Sequence, residues 1–143
     1  VNFGRVFVDA NVILDLFDPD RSNSDYSVTI IDYLLEKKSG LFTSCDLITT
    51  VYYVLSKINR DKALKSIEAT AEIFSLIPFS NDEIFEAIGL IRKDKKFKDL
   101  EDTVQYVLAK KENCDLILVN DRGFFSPDIK IATTKEFVEN LSL

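Results

Sequence analysis

The sequence contains no histidine, methionine or tryptophan, and only two cysteines, three prolines and four glycines among 143 residues. Each shortage removes a class of chemistry. Without histidine there is no Ser-His-Asp or Cys-His triad, no imidazole acid–base pair and no histidine-ligated zinc. Cys45 and Cys114 are too few to hold zinc by themselves and fit a reducing, cytoplasmic setting. Gly4, Gly40, Gly89 and Gly123 are too scattered to cradle phosphates in a loop, so the nucleotide-binding fingerprints are missing. No apolar run reaches the roughly 18 residues a membrane helix needs, and no charged-then-apolar leader opens the chain; no membrane association is expected. Any catalysis falls to carboxylates.

What is present suits one compact core. Hydrophobic residues make up 46% of the chain, ample for a single domain spanning 1–143. No internal repeat, low-complexity stretch or linker interrupts it. The net charge of -6 and the pI near 4.7 weigh against nonspecific binding of a polyanion. They leave room for a phosphodiester substrate, because a bound divalent cation and a local basic patch override an average field.

Strand and helix signals alternate along the chain. Arg5 to Val8 is a short buried strand, and Asn11 to Phe17 reads as a helix with Val12, Ile13, Leu16 and Phe17 inward. After a polar loop from Asp18 to Asn23, Ser24 or Asp25 caps a helix to about Ser39, with Gly40 as its closing glycine. Leu41 to Ser44 is a second strand. One helix follows from near Asp46, on Leu47, Val51, Val54, Leu55 and Ile58, and another runs to about Ser75, on Leu64, Ile67, Ala71 and Phe74. Leu76 to Phe79 is an edge strand because of Pro78. Ser80 and Glu83 form a capping box for the next helix, and Arg92 to Lys98 is a basic loop. Asp99 caps a helix from Leu100 to Lys111. Leu116 to Val119 is the most apolar strand, Ile129 to Ala132 the last, and Thr133 and Glu136 open a terminal helix. Strands separated by helices predict a mainly parallel sheet covered on both faces.

Three elements then put acids where such a sheet binds ligands. Asp9 and Asp121 each follow an apolar strand, at the carboxyl edge. Asp99, Glu101 and Asp102 open a helix whose first-turn amides favour negative charge. Simpler roles compete: Asp9 and Asp99 as helix caps and Asp121 as a turn residue, and for Asp99 the cap is the preferred reading. Like charges brought close stay ionised only if a cation offsets them. A hard divalent ion such as Mg²⁺ or Mn²⁺ is the natural partner.

These residues carry a resemblance. Val8-Asp9-Ala10-Asn11-Val12-Ile13-Leu14-Asp15 resembles the DxNvlLD opening of PIN domains, a family of metal-dependent nucleases. Asp99-Leu100-Glu101-Asp102-Thr103-Val104-Gln105-Tyr106 is similar to their DxEDA(V)Q helix start. Leu118-Val119-Asn120-Asp121 with Phe124-Phe125 resembles their late strand end. The likeness spans essentially the whole chain in the right order.

The resemblance implies an α/β/α three-layer sandwich and an Mg²⁺- or Mn²⁺-dependent ribonuclease acting on RNA. Many relatives are toxins paired with an antitoxin protein, and homodimers are common among them. Carried over by position, Asp9, Asp102 and Asp121 are the metal-binding, catalytic acids, with Asn11 supporting Asp9. Asp99 and Thr50 flank the site. Thr50 stands where most members have Glu, and Val119 where Thr or Ser is common; Asp15 or Glu101 are candidates to replace the missing charge. The basic loop and Arg122 are candidate phosphate contacts, and Tyr52 and Tyr53 candidate base-stacking residues. Two alternatives stay open: a PIN module without turnover that binds RNA or protein, and, ranked lower, a haloacid-dehalogenase-like phosphatase, whose second Asp is here Asn11.

Overall fold

The computed structural model describes residues 3–120 and 123–141. Its order is β1 (Arg5–Val8), α1 (Ala10–Phe17), α2 (Ser24–Glu36), β2 (Gly40–Ser44), α3 (Leu47–Ser56), α4 (Arg60–Ile73), β3 (Ser75–Ile77), α5 (Asn81–Lys93), α6 (Leu100–Lys111), β4 (Leu116–Val119), β5 (Lys130–Thr133) and α7 (Thr134–Asn140). The five strands form one sheet in the order β3-β2-β1-β4-β5, and each described pairing is parallel. Strands of this kind need both faces covered, which explains why β4 is buried along its whole length.

Alternation along β1 and β4 assigns the faces. Val6, Val8, Leu116 and Leu118 point into a core shared with α1, α2, α3, α4 and α7. Phe7, Ile117 and Val119 point the other way, into a core built with α5 and α6. The result is the predicted α/β/α sandwich. Helix α6 lies deepest, with every residue from Thr103 to Ala109 buried.

Several local expectations are corrected. Gly40 begins β2 and closes no helix; α2 ends at Glu36, and Lys38 takes the left-handed turn at φ 58°. The amides of Lys38 and Ser39 reach back to the Leu35 and Leu34 carbonyls, so a lysine performs the turn usually given to glycine. On α1 the buried residues include Leu14 and Asp15, while Leu16 and Phe17 are only half-buried. The helix is tucked between sheet and α2, so its buried stripe is rotated toward Asp15. On α4 the buried positions are Ala63 and Thr70, with Leu64 and Ala71 exposed. Ile58 lies beyond α3 and is exposed. Arg92 and Lys93 belong to the last turn of α5, so the basic loop is shorter than the charge run suggests. Asp99 occupies the N-cap position of α6 but makes no side-chain cap. Its carbonyl instead accepts from the Thr103 amide at 3.0 Å and the Thr103 hydroxyl at 2.6 Å.

Candidate metal centre and substrate cleft

The chain order reverses across the sheet between β1 and β4, since β2 and β3 lie to one side of β1 and β4 and β5 to the other. Ligands of open α/β sheets bind beyond the carboxyl ends of the strands at such a switch point. Asp9 sits there. Its amide donates to the Leu118 carbonyl at 3.0 Å, which ties the end of β1 to β4. On the other flank the Thr43 hydroxyl donates to the Val8 carbonyl at 2.7 Å. The backbone just before Asp9 is therefore held from both neighbouring strands. The Asp9 carboxylate accepts from the Ala10 amide at 2.8 Å and is buried, so the capping role and the site role coexist in one side chain.

The acids at the start of α6 face the same edge. Burial, then the charges of Asp46, Asp9 and Asp99, in that order, raise the Glu101 carboxyl above its ordinary value. Carboxylates from the end of β1, the start of α3 and the start of α6 thus lie close enough for their charges to act on Glu101. Asp102 is half-buried beside Glu101 and lines a small hollow with Lys96, Lys98, Asp99 and Gly123. Asp121 and Arg122 lie outside the described residues. Gly123 brings the chain beside Asp102 two positions after Asp121. Among the described residues no three acids converge tightly enough to hold an ion.

Asp46 was hidden in the sequence behind an ordinary helix start. It stands at the N-cap of α3 without capping that helix, and its carboxylate accepts a short hydrogen bond from the Ser44 hydroxyl at the end of β2. An acid two residues past an apolar strand was the available signal. Thr50 is exposed one turn further along α3. The Asp46 charge therefore lies on the element where the family's Glu is missing.

A second polar system occupies the other flank of the switch point. Asp15 is 3% exposed, and its carboxylate accepts from Arg21 Nε at 2.6 Å and from the Asn120 side-chain amide. Asn120 Oδ1 in turn accepts from the Thr134 amide and hydroxyl, at 3.2 and 2.9 Å. The Asp15 charge is thus answered twice, by Arg21 and by Asn120. Asn11 is exposed and joins Asp15, Arg21, Ser22, Asn23 and Asn120 around an open cleft of about 380 Å³.

The aromatic expectations divide. Phe124 is buried, and the Phe125 ring meets Phe97 edge-on with centroids 4.8 Å apart, closing the base of the α6 start. Tyr52 packs against the core, whereas Tyr53 is exposed beneath the Lys57 ammonium.

Comparison with known proteins agrees with this geometry. The chain is 58% identical over 139 residues to Ribonuclease VapC1 of Aquifex aeolicus, covering 97% of this chain and 96% of that protein. VapBC2 of Rickettsia felis, solved with a DNA fragment from its promoter, superposes with a TM-score of 0.69 at 14% identity, over 90% of this chain and 98% of that one. A toxin–antitoxin complex from Klebsiella pneumoniae gives 0.67 at 17% identity, over 90% and 97%. The sequence profile of the PIN domain matches residues 6–130, and with a full-length relative at this identity the chain belongs to the PIN-domain family.

Proposed function

We propose that this protein is a divalent-metal-dependent endoribonuclease, the toxin of a toxin–antitoxin pair, working in the cytoplasm. The observation that carries the reading is the end-to-end identity of 58% with a ribonuclease, on a fold whose switch point gathers acids from separate elements. Solved neighbours in complexes with antitoxins support an antitoxin protein as the partner. Among the described residues no helix is long and apolar enough to cross a membrane.

Asp9, Asp102 and Asp121 would hold the ion, Mg²⁺ or Mn²⁺, through hard carboxylate oxygens. When bound, the metal supplies an activated water and positive charge to stabilise the phosphate as negative charge grows on it. The chain's own residues do the rest. The backbone of Asp9 is held by the β1–β4 hydrogen bond, which sets where its carboxylate is presented. Glu101 and Asp46 deepen the negative field that draws a cation in. Lys96 and Lys98, beside Asp102, face incoming phosphates, and Asn11 flanks the first acid on α1.

The alternative, a binding module without turnover, rests on Thr50, which removes a carboxylate. Asp46, one turn earlier, returns one to the same element. The decisive test is cleavage of single-stranded RNA with and without Mg²⁺ or Mn²⁺, alongside metal-induced melting shifts. A nuclease cleaves only with metal and loses both cleavage and shift in Asp102→Asn. RNA affinity without metal-dependent cleavage would favour the binding module instead.

A further inference from the structure

The cleft beside the acidic edge has the opposite character to that edge. Among the described residues it is lined by amide, hydroxyl and guanidinium groups, and by one carboxylate, Asp15, which is already bonded to Arg21 and Asn120. Arg21 is attached to Asp15 through Nε alone. Among the described residues no acceptor engages its two terminal amino groups. Its side chain is 32% exposed against 5% for Asp15, so the charge is anchored at one end and presented to the cleft at the other. The N-terminus of the 13-residue helix α2 opens into the same space. Its N-cap, Asn23, makes no side-chain hydrogen bond to the helix. Asp25, the acid of that first turn, lies outside the lining.

Such an arrangement is built for an anion. A guanidinium fork held rigid by a buried carboxylate binds phosphate with less ordering of its own side chain, and the helix dipole adds to the attraction. Position names the anion. Asn11 is two residues after Asp9 and Asn120 one before Asp121, so the cleft is continuous with the switch point. We propose that Arg21, oriented by Asp15 and flanked by Asn11, Ser22 and Asn23, grips a backbone phosphate of single-stranded RNA adjacent to the one that is cleaved. The assignment rests on the nuclease reading and gives this acidic chain the local cation that reading needs. Arg21 acts on binding and register, not on the reacting phosphate.

The test measures binding of a fluorescein-labelled, mixed-sequence single-stranded oligoribonucleotide to the full chain in Ca²⁺, across a salt series, and steady-state cleavage in Mn²⁺. Arg21→Gln should weaken binding about tenfold. It should also flatten the slope of log K against log salt by about 0.7, the loss of one phosphate contact on a single strand. KM should rise with kcat nearly unchanged, and the Mn²⁺-induced melting shift should persist. Arg21→Lys should recover the salt slope but only part of the affinity. Asn23→Asp puts a residue favoured at helix N-caps in that position and adds a repelling charge, so it should weaken binding even if Arg21→Gln does not fold. Wild-type affinity and slope in folded Arg21→Gln, or in Asn23→Asp where the former does not fold, would overturn the subsite while leaving the nuclease reading intact. A fall in kcat at constant KM would also overturn it, placing Arg21 on the reacting phosphate. If the wild-type chain binds and cleaves no RNA, the nuclease reading falls first and the subsite with it.

Discussion

Asp15 and Asp9 sit six residues apart in the chain, and the groups described around them differ in kind. Asp15 is enclosed and answered by a guanidinium and an amide, with Thr134 bracing the amide from behind. Asp9 is buried too, and its charge acts together with those of Asp46 and Asp99 on the Glu101 carboxyl. A satisfied buried acid stabilises a fold; a crowd of acids destabilises it until a cation arrives. The proposed function gives the first group a structural part and the second a chemical one.

That contrast can be broken in order of effect. Asp9→Asn should lower RNA cleavage by roughly 10²–10³ or more and abolish the Mn²⁺-induced melting shift, with metal-free stability unchanged or higher. A normal metal shift in this variant would move the site elsewhere. Asp15→Ala should do the reverse. It leaves Arg21 and Asn120 without their shared acceptor and should cost about 2–3 kcal/mol in urea unfolding, while a metal-induced shift survives. Loss of that shift would show that the two groups are not separable. Asn120→Ala removes one arm of the network and should cost about 1–1.5 kcal/mol by the same measurement.

The smallest effect concerns pH. Glu101 holds its proton more tightly in the folded chain, chiefly through burial and then through Asp46, Asp9 and Asp99. Between its ordinary value and the raised one the folded state binds more protons than the unfolded state. Metal-free stability should therefore fall as pH rises through that window and stay reduced above it. The change is slight because the side chain is largely in water. Glu101→Gln should flatten this part of the melting-temperature profile, and saturating Mg²⁺ should flatten it in the wild type. A profile that Glu101→Gln leaves unaltered would remove Glu101 from the shared field.

The sequence made the layers, the strands and most helix boundaries legible because period and capping are local. Arg5–Val8 and Leu116–Val119 are apolar runs with abrupt polar ends, and the Glu83 carboxylate returns to the Ser80 amide at 3.2 Å as the capping box predicts. What depended on packing was less legible. The stripe on α4 could not be placed by period because Thr70 is buried on a bond to the Ser66 carbonyl while Leu64 faces water. Within the site, Asp9 and the α6 acids followed from position relative to strands and a helix start. Asp46, whose place two residues past a strand was its one local sign, and Arg21, a loop arginine with none, did not. Their partners, Ser44 and Asp15, become visible only when the chain is folded. Asp121 lies outside the described residues, and its role stands as proposed.

The register of β1 carries a consequence for how such a protein is made. Val8 pairs with Leu118, so the strand that positions Asp9 is flanked on one side by residues near the start of the chain and on the other by residues close to its end. Contacts so distant in sequence close late. A ribosome must deliver the chain through β4 before that strand can dock and the acidic edge can take shape. Chains stopped short of β4 would therefore lack the edge on which the proposed activity depends.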